Sequence, residues 1–271
     1  EEIYGESTQI PMITFKLGKF KAAFGKSNTT HTHALAFVDQ PLLLSSIFGS
    51  EGLNDVGASA SLLLPTSWFS EATLQALSGK AEGQDNYFHD ASPNSMVYLL
   101  KLKNLWELND DSTLEWGLSG VTGENSFATA TFRENSTQFL GSDLTFKWRP
   151  AVGGKFHALI WSNEIAQRKI KRETGENTTE GIVSSLQWQV DERWWLQGRA
   201  EYVSRNDTDT VNPLTEEPFS LRYSALIAFL ATEFSGFRLQ YDHLSESQGK
   251  VDHRLLLQLN FSIGAHPAHN Y

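Results

Sequence analysis

The chain has 271 residues, a formal charge of −10, 40% hydrophobic and 12% aromatic residues, and no cysteine. The acidic balance argues against a nucleic-acid partner, which would want a basic face; the missing cysteine excludes disulfides, zinc-thiolate sites and thiol catalysis. No run of about 18 apolar residues occurs, which excludes a transmembrane helix but not a membrane barrel, whose strands carry apolar residues in alternation.

In chain order, residues 2–7 followed by Pro11 read as the end of a strand and a short turn. Next, Ile13, Phe15 and Leu17 share one face of a strand, and after Gly18 the apolar face passes to Phe20, Ala22 and Phe24. A glycine at such a phase slip predicts a β-bulge. Residues 25–54 do not alternate, yet Pro41 and the run after it to Phe48 are too apolar for open water, so this long loop is expected to fold into a lumen or onto a partner.

From Val56 onward the period-2 pattern of half-buried strands recurs. Tyr98, Leu100 and Leu102 oppose Lys101 and Lys103; Leu114, Trp116 and Leu118 oppose Glu115; Leu144, Phe146 and Trp148 oppose Asp143 and Lys147. Further on, Leu196, Ala200 and Tyr202 oppose Arg199 and Glu201; Phe237, Leu239 and Tyr241 oppose Arg238 and Asp242; and Leu257, Leu259, Phe261 and Ile263 oppose Gln258, Asn260 and Ser262. The pattern predicts an all-β protein with 12–13 strands in this chain.

Connections alternate between short ones, at 65–67, 109–111, 152–154, 191–193 and 235–236, and long ones, at 25–54, 80–95, 122–136, 168–180, 204–220 and 245–251. Trp68, Phe69, Trp106, Trp148, Phe156, Trp188, Trp194, Trp195, Phe234 and Phe237 crowd the short turns, as in an interfacial aromatic girdle. Together these features predict an antiparallel up-and-down transmembrane β-barrel of a Gram-negative outer membrane, one domain over residues 1–271. Because the first strand runs inward, further strands are expected before Glu1.

The run LGKFKAAFGKSNTTHTHALAFVDQPLLLSSIFGSEGLNDVGASASLLLP, residues 17–65, and the ending LQLNFSIGAHPAHNY, residues 257–271, resemble a proteobacterial outer-membrane family labelled zinc-regulated TonB-dependent outer membrane receptor, porin-like in layout. The resemblance implies additional N-terminal strands and a full barrel of about sixteen. It also implies insertion by the outer-membrane assembly machinery through the C-terminal strand, with Phe261 or Tyr271 as its aromatic signal. No plug domain or TonB box is present in the chain.

Charges that alternate with lipid-facing residues must point inward, since at mid-depth on the lipid face each costs about 2–4 kcal/mol. Lys101, Lys103, Glu115, Asp143, Lys147, Arg199, Glu201, Arg238 and Asp242 are therefore the candidate pore-lining set, either selecting solutes or filling the barrel with a salt-bridge lattice. His31, His33, Asp39 and Phe48 are the candidate constriction-loop residues. His31 and His33 form an H-x-H pair that would suit zinc if a third ligand came from elsewhere; no other cofactor is expected. His266 and His269 lie in the terminal tail.

No motif of a soluble hydrolase, nucleotide-binding protein or metalloprotease occurs, so the chain is expected not to be an enzyme. The expected function is a porin-like channel passing a small polar solute or ion. The alternatives are a non-conducting barrel acting as receptor or scaffold for a partner protein, and a metal-linked uptake receptor. Lipid and lipopolysaccharide of the outer membrane are the expected surroundings.

Overall fold

The computed structural model describes residues 2–31, 34–79, 88, 96–125, 135–208, 218–232 and 235–261. Over these residues one sheet of 13 antiparallel strands runs in strict sequence order. Its members are β1 (Ile3–Ser7), β2 (Ile13–Lys21), β3 (Asn54–Leu63), β4 (Phe69–Leu77), β5 (Val97–Asn109), β6 (Ser112–Glu124) and β7 (Ser136–Trp148), then β8 (Ala158–Arg172), β9 (Gly175–Asp191), β10 (Trp194–Asp207), β11 (Phe219–Thr232), β12 (Ser235–Glu246) and β13 (Val251–Phe261). The only α-helix among the described residues, α1 (Leu42–Phe48), lies in the connection from β2 to β3.

Alternation sorts each strand onto two faces. On β5, Leu99 is 0% exposed while its neighbour Leu100 is 60% exposed, and the same contrast runs from Phe139 to Leu140 on β7. The exposed set, including Leu74, Leu100, Leu140, Ile165, Ile182, Ile227 and Leu239, forms an outward apolar belt, the opposite of what water selects. A groove of about 900 Å³ between Leu100 and Tyr202 belongs to that belt. Trp68, Phe69, Phe156, Trp188, Trp194 and Phe237 stand outward near the short turns, as a girdle requires. Phe234 lies outside the described residues.

Three local readings are corrected. Gly18 makes no bulge: it pairs with Tyr4 and Gly57 in unbroken register, and the strand keeps its phase. Phe20 points inward because the lumen at that level is apolar, while a Cβ on Gly18 would collide with Ile3 and Tyr4 of β1. Residues 168–180 are not a long loop, since β8 and β9 run on to a two-residue turn at Glu173 and Thr174. This hairpin is longer than the 9–11 residues that cross a bilayer, and its extension carries cross-strand polar pairs such as Lys169–Glu176 at 2.6 Å and Gln167–Glu180 at 3.0 Å. At the other end, the connection after β7 fills 149–157, so β8 starts at Ala158 rather than Lys155.

Among the described residues β1 pairs only with β2 and β13 only with β12. The sheet therefore presents two unpaired edges, flanked by the exposed Ile3, Leu255, Leu257 and Phe261.

Candidate functional site

The segment between β2 and β3 folds into the concave face of the sheet. It has no strand partner, so its backbone groups need other partners once buried. Side chains projecting inward from the strands supply them. Gln75 on β4 accepts from Ala23 N at 2.9 Å, Ser119 on β6 from Gly25 N at 3.0 Å, and Gln240 on β12 from Val38 N at 2.8 Å. Lys101 donates to the Gly25 carbonyl at 2.5 Å, Arg199 to that of Asp39 at 3.1 Å, Arg222 to that of Gln40 at 2.9 Å and Arg238 to that of Leu35 at 2.7 Å. Glu164 on β8 accepts from both the backbone N–H and the hydroxyl of Ser27, at 3.1 and 2.5 Å.

Within the segment, Pro41 opens the helix, as its fixed φ and missing N–H allow. The Leu42 N–H donates to Glu201 at 2.5 Å, and at the far end Arg168 donates to the Ser46 and Ile47 carbonyls at 3.1 Å each. Gly49, at φ 84°, ends α1 in a conformation that favours glycine. The base is closed by buried Asn28, whose amide donates to the Ala22 and Leu53 carbonyls and whose oxygen accepts from Leu53 N at 2.7 Å.

The plug so formed has two halves. Toward the long-loop end, Phe24, Leu43, Leu44, Ile47 and Phe48 pack against Leu99, Val121, Phe139, Ala166, Val183 and Val203 of the wall. Phe48 stacks on Phe139 with centroids 4.7 Å apart and meets Phe24 edge-on at 5.0 Å. Gly141 and Gly181 leave room for this: a Cβ on the first would strike Phe24, and one on the second would press on Leu43.

The other half is held by charge. Asp39 lies 2.7 Å from Arg199, 2.6 Å from Arg222 and 3.6 Å from Arg254, and accepts from Gln240 at 2.9 Å. Glu201, fully buried, pairs with Arg199 at 2.8 Å and Arg222 at 2.5 Å; Asp242 pairs with Arg254 at 3.1 Å. Burial alone would raise the Asp39 carboxyl, but Arg199 and Arg222, helped by Gln240, hold it below its ordinary 3.8. Across the lumen, Lys103 pairs with Glu115 at 3.0 Å, and Lys26 lies 3.8 Å from Glu115 and donates to Thr145. Burial pushes the Lys26 ammonium down to about 8, against the pull of Glu115. A cavity of about 300 Å³ remains between the segment and the short-turn halves of β7 to β12.

All nine candidate pore-lining residues face inward, but most are tied to one another or to the plug rather than ringing open water. Asp143 is buried on β7, and Lys147 lines the cavity. Of the loop residues, Asp39 is the hub of the charged half and Phe48 sits in the apolar half. His31 is half exposed and lies 3.1 Å from Glu2, while His33, like His266, His269 and Tyr271, lies outside the described residues. No group of three or more metal-ligating side chains occurs among the described residues.

Two features escaped the sequence reading. Trp195, placed there in the girdle, points inward and packs with Phe37, Ile160 and Ala228. Its signal was the pair Trp194–Trp195, since adjacent strand residues face opposite sides. Arg222 and Arg168, central to holding the segment, lay in stretches read as loop or loop margin.

Outward apolar belt, girdle and inward charge define the class: an outer-membrane β-barrel. No family model matches the chain. An uncharacterized protein of Aquifex aeolicus (strain VF5) is 25% identical over 300 residues, an alignment covering all of this chain but only 63% of that protein. Among solved structures, the loop L8 deletion mutant of OmpT, an outer membrane protein of Vibrio cholerae, superposes with a TM-score of 0.57 at 8% identity, covering 93% of this chain and 76% of that one. Outer-membrane expressed OmpT of Vibrio cholerae gives 0.54 at 9% identity, covering 88% and 68%. These likenesses establish the barrel fold and lend no support to the TonB-dependent receptor label. They also correct the expectation that the chain is not an enzyme. A fold of this kind hosts functions through its sites, so missing soluble-enzyme motifs give no ground for setting catalysis aside in a lumen holding Asp39, Glu115, Asp143 and Glu164.

Proposed function

We propose that the barrel is a channel for small polar solutes or ions, constricted by the segment between β2 and β3. The observation that carries this reading is the composition of the charged half: the segment is held there by replaceable ion pairs, beside a cavity of about 300 Å³ whose lining sets Lys26, Asp39, Lys147, Glu164, Arg199 and Arg238 among apolar side chains. Inward charges of both signs would make selectivity a matter of field as well as size. The reading includes further strands closing the sheet between the unpaired edges of β1 and β13, since a lipid-exposed edge leaves backbone groups without partners.

The test is conductance in planar bilayers. The full chain is expected to give a small conductance, and deletion of residues 31–46 one several-fold larger. No conductance from either protein refutes the channel. A second reading, a closed barrel serving as receptor or scaffold, is favoured by the apolar half, where Phe24, Phe48 and Phe139 pack ring against ring inside the lumen. It predicts silence from the full chain and capture of a partner through the long loops.

A further inference from the structure

The outward face of the β12–β13 hairpin carries an imidazole pair that has no part in the plug. His243 and His253 stand directly opposite each other in the antiparallel register, two residue pairs before the last one, Ser245–Val251. Alternation places both on the face of Leu239, Tyr241, Leu255 and Leu257, at the end where that apolar face runs out toward the long connections. His253 is exposed and His243 half-buried. Tyr223 of β11 flanks them, in register with His243.

An aromatic girdle at this level is built from Trp and Tyr, which accounts for Tyr223 and Tyr241 but not for two imidazoles side by side. Nor do the rings stack: their centroids lie 5.0 Å apart with planes 55° apart. A divalent ion bound to an imidazole nitrogen at about 2.0–2.1 Å lies about 3.2 Å from the ring centroid, and a tetrahedral angle between two such ligands sets the centroids about 5 Å apart. The observed separation matches that of two rings sharing an ion.

The hydrogen bonding points the same way. Tyr241 Oη lies 2.7 Å from His253 Nδ1. When Nδ1–H donates to that oxygen, the lone pair of the ring is on Nε2, and a metal-ligating histidine characteristically has its other nitrogen held in this manner. His243 makes no hydrogen bond or ion pair with any described residue, so its nitrogens remain available. The outward neighbours Tyr223, Tyr241, Ser245, Val251 and Leu255 include no carboxylate. Oxygen-seeking magnesium and calcium therefore find little there, whereas imidazole suits zinc and copper.

We propose that His243 and His253 form a two-imidazole site for a divalent transition cation of the zinc and copper class, oriented through Tyr241. Two protein ligands leave the remaining positions of a four-coordinate ion to water or to anionic groups of the surrounding headgroup layer. An ion bound there staples β12 to β13 at the outer rim. The site lies on the outward face and is independent of whether the lumen conducts.

Isothermal titration of the full chain, folded in detergent and free of any polyhistidine tag, tests it with zinc chloride, copper sulfate and magnesium chloride as probes. Zinc and copper are expected to bind, copper the tighter, and magnesium to give no signal. Copper loaded at one equivalent should show an electron paramagnetic resonance spectrum coupled to two nitrogens. His243→Gln and His253→Gln should each weaken zinc by about tenfold or more, and Tyr241→Phe by about tenfold, the effect of losing a partner that orients a ligand. His157→Gln, on the connection after β7, is the control and should leave binding unchanged. Circular dichroism establishes that each variant folds. Zinc affinity unchanged in the folded double variant His243→Gln, His253→Gln would assign the ion to other histidines and overturn the proposal, as would equal binding of magnesium and zinc.

Discussion

The two halves of the plug are held by different physics, and the contrast indicates which of them can move. The apolar half is fixed by shape: Phe48 on Phe139, Phe24 over Gly141 and Leu43 over Gly181 interlock with little polarity to titrate or screen. The charged half is fixed by Asp39 and Glu201 set among Arg199, Arg222 and Arg254. Such contacts are strong while complete and fail abruptly when one member is neutralised. Loss of the charged half is therefore expected to loosen the whole segment, α1 included, in a way that salt and pH report.

The contrast can be broken by substitution. Because the chain has no cysteine, Ser46→Cys gives a single thiol whose maleimide labelling rate reports undocking of α1. Added to that background, Asp39→Ala leaves Arg199 and Arg222 buried with a shortage of negative charge and is expected to cost about 3–5 kcal/mol of docking. Its labelling should speed up strongly and in a salt-dependent way. Ile47→Ala, at a position 1% exposed, should cost about 2–4 kcal/mol with no dependence on salt or pH. If both variants respond alike to salt, the division into two halves is wrong. Asn28→Ala removes three buried hydrogen bonds at the segment's base and should cost about 1–3 kcal/mol.

Proton linkage sharpens the same division. The Asp39 carboxyl is held below 3.8, so its contribution is complete above that value and is lost as pH falls through the lower docked one. Relative to a free thiol at the same pH, labelling should therefore rise only in strong acid, and Asp39→Asn should abolish that step. Lys26 works oppositely. Its ammonium, lowered to about 8 from 10.5, opposes docking fully below pH 8, and the penalty is relieved between 8 and 10.5. Relative to a free thiol at the same pH, labelling should slow across that window, and Lys26→Met should remove the slope.

The barrel was legible in the sequence because lipid and lumen impose opposite demands on adjacent residues, and those demands print a period of two. Legibility failed where one demand lapsed. Beyond the membrane the β8–β9 hairpin is polar on both faces save at Ile170, so its strands read as loop. At Phe20 the lumen itself is apolar, so a residue facing inward looked like a phase slip. Trp195 was assigned by its company rather than its parity. The charges of the site were visible as inward residues, but their partners were not: Asp39 meets Arg199, Arg222 and Gln240 across 160 to 201 positions of chain, a separation that local spacing cannot encode.

That separation also sets an order of assembly. The segment leaves the sheet after β2, yet Val38 is bound by Gln240 and Leu35 by Arg238, 202 and 203 residues later. Long-range closures of this kind form late, since the intervening chain must be ordered first. The segment must therefore wait, apolar helix and all, until β12 has folded. During insertion the nascent barrel is hollow, and corking it is among the last events of its biogenesis.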